Sequence, residues 1–274
     1  MTVAREVLRL DTPAGGRFAV LTRRSGRACG ALLYVAPFAE EMNKSRRMAA
    51  LAARRFAAEG WVVLQVDHFG CGDSDGEFGD ASWQHWLDDL SFAWHWLAER
   101  SGRPPCLWSL RAGALLAADW LIATGKHLPW LIWQPVVTGK QYLTQFLRLA
   151  AAGQMLDEQD ARGVLTRLRA ELAAGRAVEV AGYRLSPELC AGLEAASLRL
   201  APGSSGPLAV LEVVAAAGAG LSPAIARLQQ AWRNDRVAVD SAVVAGSPFW
   251  MTQEIETVPA LIERSVRMLE RFGA

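Results

Sequence analysis

The chain has 274 residues, 51% hydrophobic and 21% charged, with 29 Lys and Arg against 28 Asp and Glu. A composition this apolar excludes a disordered chain. The scattered, nearly balanced charge excludes a basic footprint for nucleic acid or an acidic membrane surface. The four cysteines, Cys29, Cys71, Cys106 and Cys190, lie far apart with no metal-ligand spacing. They read as separate reduced thiols of a cytoplasmic protein, and no metal or cofactor is expected. The N-terminus lacks the apolar run of a signal peptide, and no uncharged apolar stretch of about 18 residues predicts a membrane span.

The chain opens with two short runs, Glu6 to Leu10 and Arg17 to Arg23, around Thr12-Pro13-Ala14-Gly15-Gly16, which predicts a β-hairpin. Ala31 to Ala36 is continuously apolar, as in a strand covered on both faces. An alanine-rich helix is expected from Ser45 to Glu59, stopped by Gly60, and Trp61 to Val66 is a second buried strand. The glycine-rich turn Asp67 to Gly76 follows. The next helix, about Ala81 to Glu99, carries Trp83, Trp86, Leu87, Leu90, Trp94 and Leu97 as its apolar stripe. Cys106 to Trp108 reads as a strand, Ala112 to Ala123 as a helix and Leu128 to Trp133 as a strand. This alternation implies a parallel sheet with right-handed crossovers.

The rhythm then breaks. Residues 136–205 are helical and charged (Gln141 to Leu149, Asp157 to Ala174, Pro187 to Ser197) with no clear buried strand, and Pro202-Gly203-Ser204-Ser205-Gly206 closes them as a linker. It resumes with a strand at Leu208 to Val214, a helix at Ser222 to Asn234, a strand at Val237 to Val244 and a helix at Val258 to Phe272. Residues 1–135 and 206–274 are therefore expected to form the core. The interruption is expected to form a helical cap over the carboxyl ends of the strands, where open α/β sheets bind ligands.

The strand, tight turn and helix from Cys106 to Ala123 match the setting of a nucleophile elbow, whose pattern is G-x-S-x-G. Here it reads Ser109-Leu110-Arg111-Ala112-Gly113. The first, fourth and fifth places are small, as the cramped turn requires, but the nucleophile place holds Arg111. Reading Ser109 as the nucleophile would put Leu107 and Arg111 where small residues must stand. A second test is independent. In this arrangement the base follows the last strand, yet the four histidines are His68, His85, His95 and His127, and Ser247 or Pro248 stands at the base position. For the acid, only Glu212 within its strand and Asp235 or Asp240 later are available. Losing both the attacking group and its base excludes ordinary Ser-His-Asp hydrolysis.

The segments Pro37 to Met48, Leu107 to Gly113, Trp133 to Gly139 and Val180 to Ser186 resemble the second of two hydrolase families associated with exosortase A, and the similarity spans nearly the whole chain. The resemblance implies an α/β-hydrolase fold with an eight-stranded, mostly parallel sheet and an inserted helical cap. It also implies an accessory role in exosortase and exopolysaccharide systems, whose arginine on the elbow this sequence shares.

A guanidinium at a helix N-terminus is disfavoured by roughly 0.3–1 kcal/mol unless an anion joins it. Two readings stay open for Arg111: a ligand carboxylate, phosphate or sulfate, or an internal pair with Glu40 or Glu41, which leads because buried charges are usually paired. Asn43 lies in the same loop and could bind ligand, with capping of the next helix favoured; Lys44, Arg46 and Arg47 are expected to be solvated. Gln134 could hydrogen-bond a ligand, and Ser247 and Trp250 could wall the pocket, whereas Trp108 and Trp133 are expected in the core. His68, Cys71 and Ser109 are the remaining catalytic candidates, with the glycine-rich loop itself read as structural. The leading reading is a catalytically degenerate protein that binds an anionic or acyl-bearing small molecule or a partner protein of its system. Its rivals are an esterase or thioesterase with unusual residues, and a scaffold.

Overall fold

The computed structural model describes residues 2–152, 158–201, 203–204, 206–216 and 218–272. A hairpin opens the chain, β1 (Val3–Thr12) and β2 (Gly15–Arg24), both longer than the expected runs because all ten residue pairs stay in register around a two-residue turn. There follow β3 (Gly30–Val35), α1 (Glu40–Ala58), β4 (Trp61–Val66), α2 (Trp83–Ser101), β5 (Cys106–Leu110), α3 (Gly113–Thr124) and β6 (Trp130–Trp133). After the insertion come β9 (Leu208–Val214), α8 (Pro223–Asn234), β10 (Val239–Ala245) and α9 (Pro259–Leu269).

The strands form one sheet of order β1-β2-β4-β3-β5-β6-β9-β10. The first two pairings are antiparallel and the remaining five parallel. This is the α/β-hydrolase arrangement. Alternate residues of the central strands feed two cores: Leu33 and Leu107 face the side closed by α2 and α3, while Leu32 and Trp108 face the side closed by α1 and α9. Trp108 and Trp133 are fully buried against Phe56, and the Trp133 indole donates to Ser265 Oγ at 2.8 Å. Both are core residues, as expected.

Between β6 and β9 lie α4 (Gly139–Leu147), the single turn α5 (Leu149–Ala152), α6 (Glu158–Ala173), the hairpin β7 (Val178–Val180) and β8 (Tyr183–Leu185), and α7 (Pro187–Ala195). The hairpin was not anticipated. Its strands have three residues each, too short to show an apolar period, and Ala181-Gly182 turns them with two positive φ angles. The first residue of the expected helix 157–174 and two of the linker residues, at 202 and 205, lie outside the described residues. α7 packs on α4 and on α2, and the Ser186 hydroxyl both caps α7 and donates to the Ala81 carbonyl. The insertion is thereby clamped to the core beside the carboxyl ends of the strands.

Helix α1 begins at Glu40, five residues before the sequence predicts, and its N-cap is Ala39 without a side-chain cap. Asn43 therefore does not cap it. Asn43 sits in the first turns and donates from Nδ2 to the Tyr183 hydroxyl at 3.0 Å, tying α1 to the insertion. The early start places Glu40 and Glu41 in the first turn, where the helix dipole favours carboxylates.

The glycine-rich loop after β4 is held from inside. Arg17 Nε donates to Asp89 Oδ1 at 2.7 Å, and the Phe69 amide donates to Asp89 Oδ2 at 2.6 Å. Arg46 Nη2 donates to Asp67 Oδ2 at 2.8 Å, and a Cβ at Gly72 (φ 54°) would lie 1.9 Å from the same oxygen. Burial works against the Asp89 charge, but the His68 imidazole, the Phe69 amide and Arg17 outweigh it and hold the carboxyl below the usual aspartate range. Its contribution is thus complete above that range and lost as pH falls through the depressed value. Asp89→Asn is expected to destabilise the protein by about 3 kcal/mol at neutral pH by stranding Arg17. The gap from wild type should shrink below about pH 4, as measured by urea unfolding across pH; a gap that stays constant into acid would show that the charge of Asp89 does not matter.

Candidate functional site

The turn between β5 and α3 is a sharp elbow. Arg111 has φ 53°, a left-handed conformation that costs a non-glycine residue on the order of 1–3 kcal/mol. Its amide donates to the Trp133 carbonyl at 3.0 Å, and its carbonyl accepts from the Ala114 amide at 3.0 Å. Gly113 lets α3 start tight against β3: a Cβ there would come within 2.4 Å and 2.5 Å of the Val35 and Ala36 carbonyl oxygens. The backbone therefore has the shape that presents a nucleophile, and it presents a guanidinium.

Arg111 projects into a pocket of about 340 Å³ lined by Glu40, Glu41 and Lys44 of α1, by Tyr142, Gln145, Phe146 and Leu149 of the insertion, and by Trp250 and Met251 after β10. Glu41 is its partner. Nε donates to Oε1 at 3.2 Å and Oε2 at 3.3 Å, and Nη2 to Oε1 at 3.1 Å. The two side chains are only 18% and 17% exposed. The guanidinium also stands over the Trp250 ring at 5.3 Å and the Tyr142 ring at 5.7 Å, each able to stabilise a partly desolvated cation. Burial raises the Glu41 carboxyl above the usual glutamate range, with Arg111 and the neighbouring Tyr142 hydroxyl drawing it back only in part. Burial and the Glu41 charge in turn keep the Tyr142 phenol well above its ordinary value.

Glu40 and Glu41 part company one residue apart, because a helix turns about 100° per residue. Glu40 faces Lys44 at 3.4 Å, and Lys44 Nζ also donates to the Thr252 carbonyl at 2.7 Å. Lys44 is thus a pocket residue that ties α1 to the segment after β10, rather than a solvated side chain. Tyr142, Phe146 and Met251 are pocket residues that sequence reasoning missed. The first two share the apolar face of α4 with Leu143 and Leu147, and nothing in that stripe separates ring contacts with a core from ring contacts with an arginine.

Of the remaining site candidates, the structure brings Trp250 to the pocket and leaves others elsewhere. Gln134, itself at φ 42°, spends its amide oxygen on the Val213 amide at 2.6 Å and clamps β6 to β9. Ser247 lies on the turn after β10, its carbonyl accepting from the Phe249 amide, and is not part of the lining. Ser109 is fully buried inside β5 and accepts from the Trp130 indole at 2.9 Å. Cys71 is buried in the glycine-rich loop, where desolvation, Asp67 and Asp89 push its thiol far above the ordinary range, opposite to what a nucleophile needs. His68 is buried, stacks on Trp86 with Nδ1 3.8 Å from Asp89, and is not among the residues that line the pocket. Glu212, at the acid position, is buried and accepts from both the amide and the hydroxyl of Ser222 at 2.7 Å, which anchors α8.

Among the described residues, the lining of the pocket thus holds no serine, cysteine or histidine. It can hold an oxygen acceptor against a fixed guanidinium, enclosed by aromatic and aliphatic side chains. Among the described residues no cluster of His, Cys, Asp or Glu could bind a metal ion, and no helix is long and apolar enough to cross a membrane.

The chain is similar over most of its length to solved α/β structures. Est1E from Butyrivibrio proteoclasticus, seen with ferulic acid bound, superposes with a TM-score of 0.68 at 11% identity, over 97% of this chain and 98% of that one. A thioesterase domain from the curacin biosynthetic pathway gives 0.54 at 15% identity, over 95% and 99%. A fungal esterase from Rhizomucor miehei gives 0.61 at 14% identity, over 99% and 84%. At such identities the likeness shows the fold alone. No curated protein matches the chain. Residues 34–175, which run from the end of β3 through the elbow into the insertion as far as the end of α6, match the family described as serine aminopeptidase, S33. The elbow, the sheet order and this match together make the chain a member of that α/β-hydrolase family.

Proposed function

We propose that this protein does not run Ser-His-Asp hydrolysis but binds a small acid- or acyl-bearing molecule in the pocket at Arg111. We further propose that it acts in the cytoplasm as an accessory of exosortase and exopolysaccharide systems. One observation carries the binding reading: the elbow presents a paired guanidinium into a pocket whose described lining holds no serine, cysteine or histidine. The placement in exosortase biology is supported by the segments around Pro37, Leu107, Trp133 and Val180 that resemble the exosortase-associated family. The competing reading, an esterase or thioesterase with unusual residues, would need Cys71 or Ser109 as nucleophile or a water activated by His68; all three side chains are buried and none is among the described residues that line the pocket.

Two measurements test the reading. Purified protein offered short acyl esters and thioesters is expected to show no turnover above background. Hydrolysis that vanishes in Arg111→Ala or His68→Ala would establish an enzyme instead. Acyl-bearing compounds that bind wild type should lose at least about tenfold in affinity to Arg111→Met, equivalent to about 1.4 kcal/mol.

The variants also report on the pair itself. Arg111→Met leaves the Glu41 carboxylate partly buried without its cation, at a cost of about 2 kcal/mol. Adding Glu41→Gln to that background should recover much of the loss in a thermal melt. If the double variant is as unstable as the sum of the two single ones, the Arg111–Glu41 contact contributes nothing to stability.

A further inference from the structure

Among the described lining residues the charges balance before any ligand enters: the two cations, Arg111 and Lys44, are each matched by a carboxylate, Glu41 and Glu40 respectively. Glu41 also occupies the side of the guanidinium, Nε and Nη2, that an arginine uses to grip a carboxylate or phosphate ligand with two parallel hydrogen bonds. The third nitrogen, Nη1, makes no hydrogen bond within the described residues. An incoming anion would therefore meet one of two costs. It could settle beside Glu41 and leave a net negative charge in an enclosed, largely apolar site, or it could displace Glu41 and strand that carboxylate. Since burial already raises the Glu41 carboxyl, a displaced Glu41 would have to take up a proton to remain inside. A neutral carbonyl oxygen meets neither cost, because it brings no charge and can accept from Nη1 while Glu41 stays in place.

The rest of the lining fits a hydrocarbon body. Phe146 and Trp250 are buried, while Leu149 and Met251 stand 43% and 65% exposed. These two make an apolar path from the guanidinium to the surface, along which a chain can leave the pocket.

Resting on the binding reading above, we propose that Glu41 is the specificity-determining residue of this pocket. It serves as a built-in carboxylate on Arg111, so that the site accepts an uncharged acyl group through Nη1 and rejects the corresponding free acid. The hydrocarbon body of the ligand lies against Phe146, Trp250, Leu149 and Met251.

The test uses a matched pair of probes, N-methyloctanamide and octanoate, titrated calorimetrically into the full chain near neutral pH. Wild type is expected to bind the amide at least about tenfold more tightly than the acid. In Glu41→Gln, which frees the fork of Arg111, octanoate should gain at least about tenfold relative to the amide. Octanoate binding wild type as tightly as the amide, or gaining nothing in Glu41→Gln, would overturn the role of Glu41; if that variant does not fold, the wild-type comparison decides alone. The two readings fail differently. Binding of octanoate that is lost in Arg111→Met but exceeds that of the amide sinks only the selection by Glu41. Absence of binding by either probe, or equal binding to Arg111→Met, removes the pocket reading along with it.

Discussion

A side chain carried on a turn at φ 53° has few ways to rearrange, and the cation that Arg111 places there must find its counter-charge within reach. The Arg111–Glu41 contact meets that demand, and much of the surrounding structure follows from it. It requires α1 to begin at Glu40, with Glu41 in its first turn, so that one carboxylate serves the helix dipole and the guanidinium together. It also draws the insertion and the C-terminal segment inward. Tyr142 from α4 and Trp250 from beyond β10 cover the cation from two sides, and Lys44 ties α1 to Thr252.

The fold has kept the geometry of an elbow while the group mounted on it has changed. Gly113 still allows α3 to approach the Val35 and Ala36 carbonyls, and the strand order around the elbow is that of an α/β hydrolase. The chemistry that needs a triad has no counterpart around it. The acid position is spent on holding the N-cap serine of α8, the two histidines nearest in sequence to the elbow, His95 and His127, are exposed, and His68 is buried within the glycine-rich loop, stacked on Trp86. The elbow holds a guanidinium paired with a carboxylate. Such preorganisation suits binding, since the donor is positioned before the ligand arrives.

Much of this was legible residue by residue. The apolar runs of the central strands and the tryptophan stripe of α2 mark their elements to within a few positions. The main error was the start of α1. Glu40 to Lys44 read as a loop because they are polar and lack a capping side chain, whereas Ala39 turns the chain through φ 50° and lets the helix begin early. The same error made Asn43 a cap instead of a bridge to Tyr183. Gln134 looked like a ligand-binding residue for the opposite reason: its place at the end of a strand is correct, but the partner that takes its side chain, the Val213 amide, is 79 residues away in sequence.

From the order of residues alone one could establish the α/β rhythm, the interruption after β6, the arginine at the nucleophile place and the lack of any histidine after residue 127. These are local or positional properties, set by side-chain periodicity and by which residue types are present at all. Only the tertiary structure could choose Glu41 over Glu40 as the partner of Arg111, bring Tyr142 and Met251 to the same cavity, and bury Cys71, Ser109 and His68 away from it. Those outcomes depend on the rotation of α1 about its axis and on contacts between segments distant in sequence, 70 residues in the case of Arg111 and Glu41. No short-range pattern in a chain encodes distances of that kind.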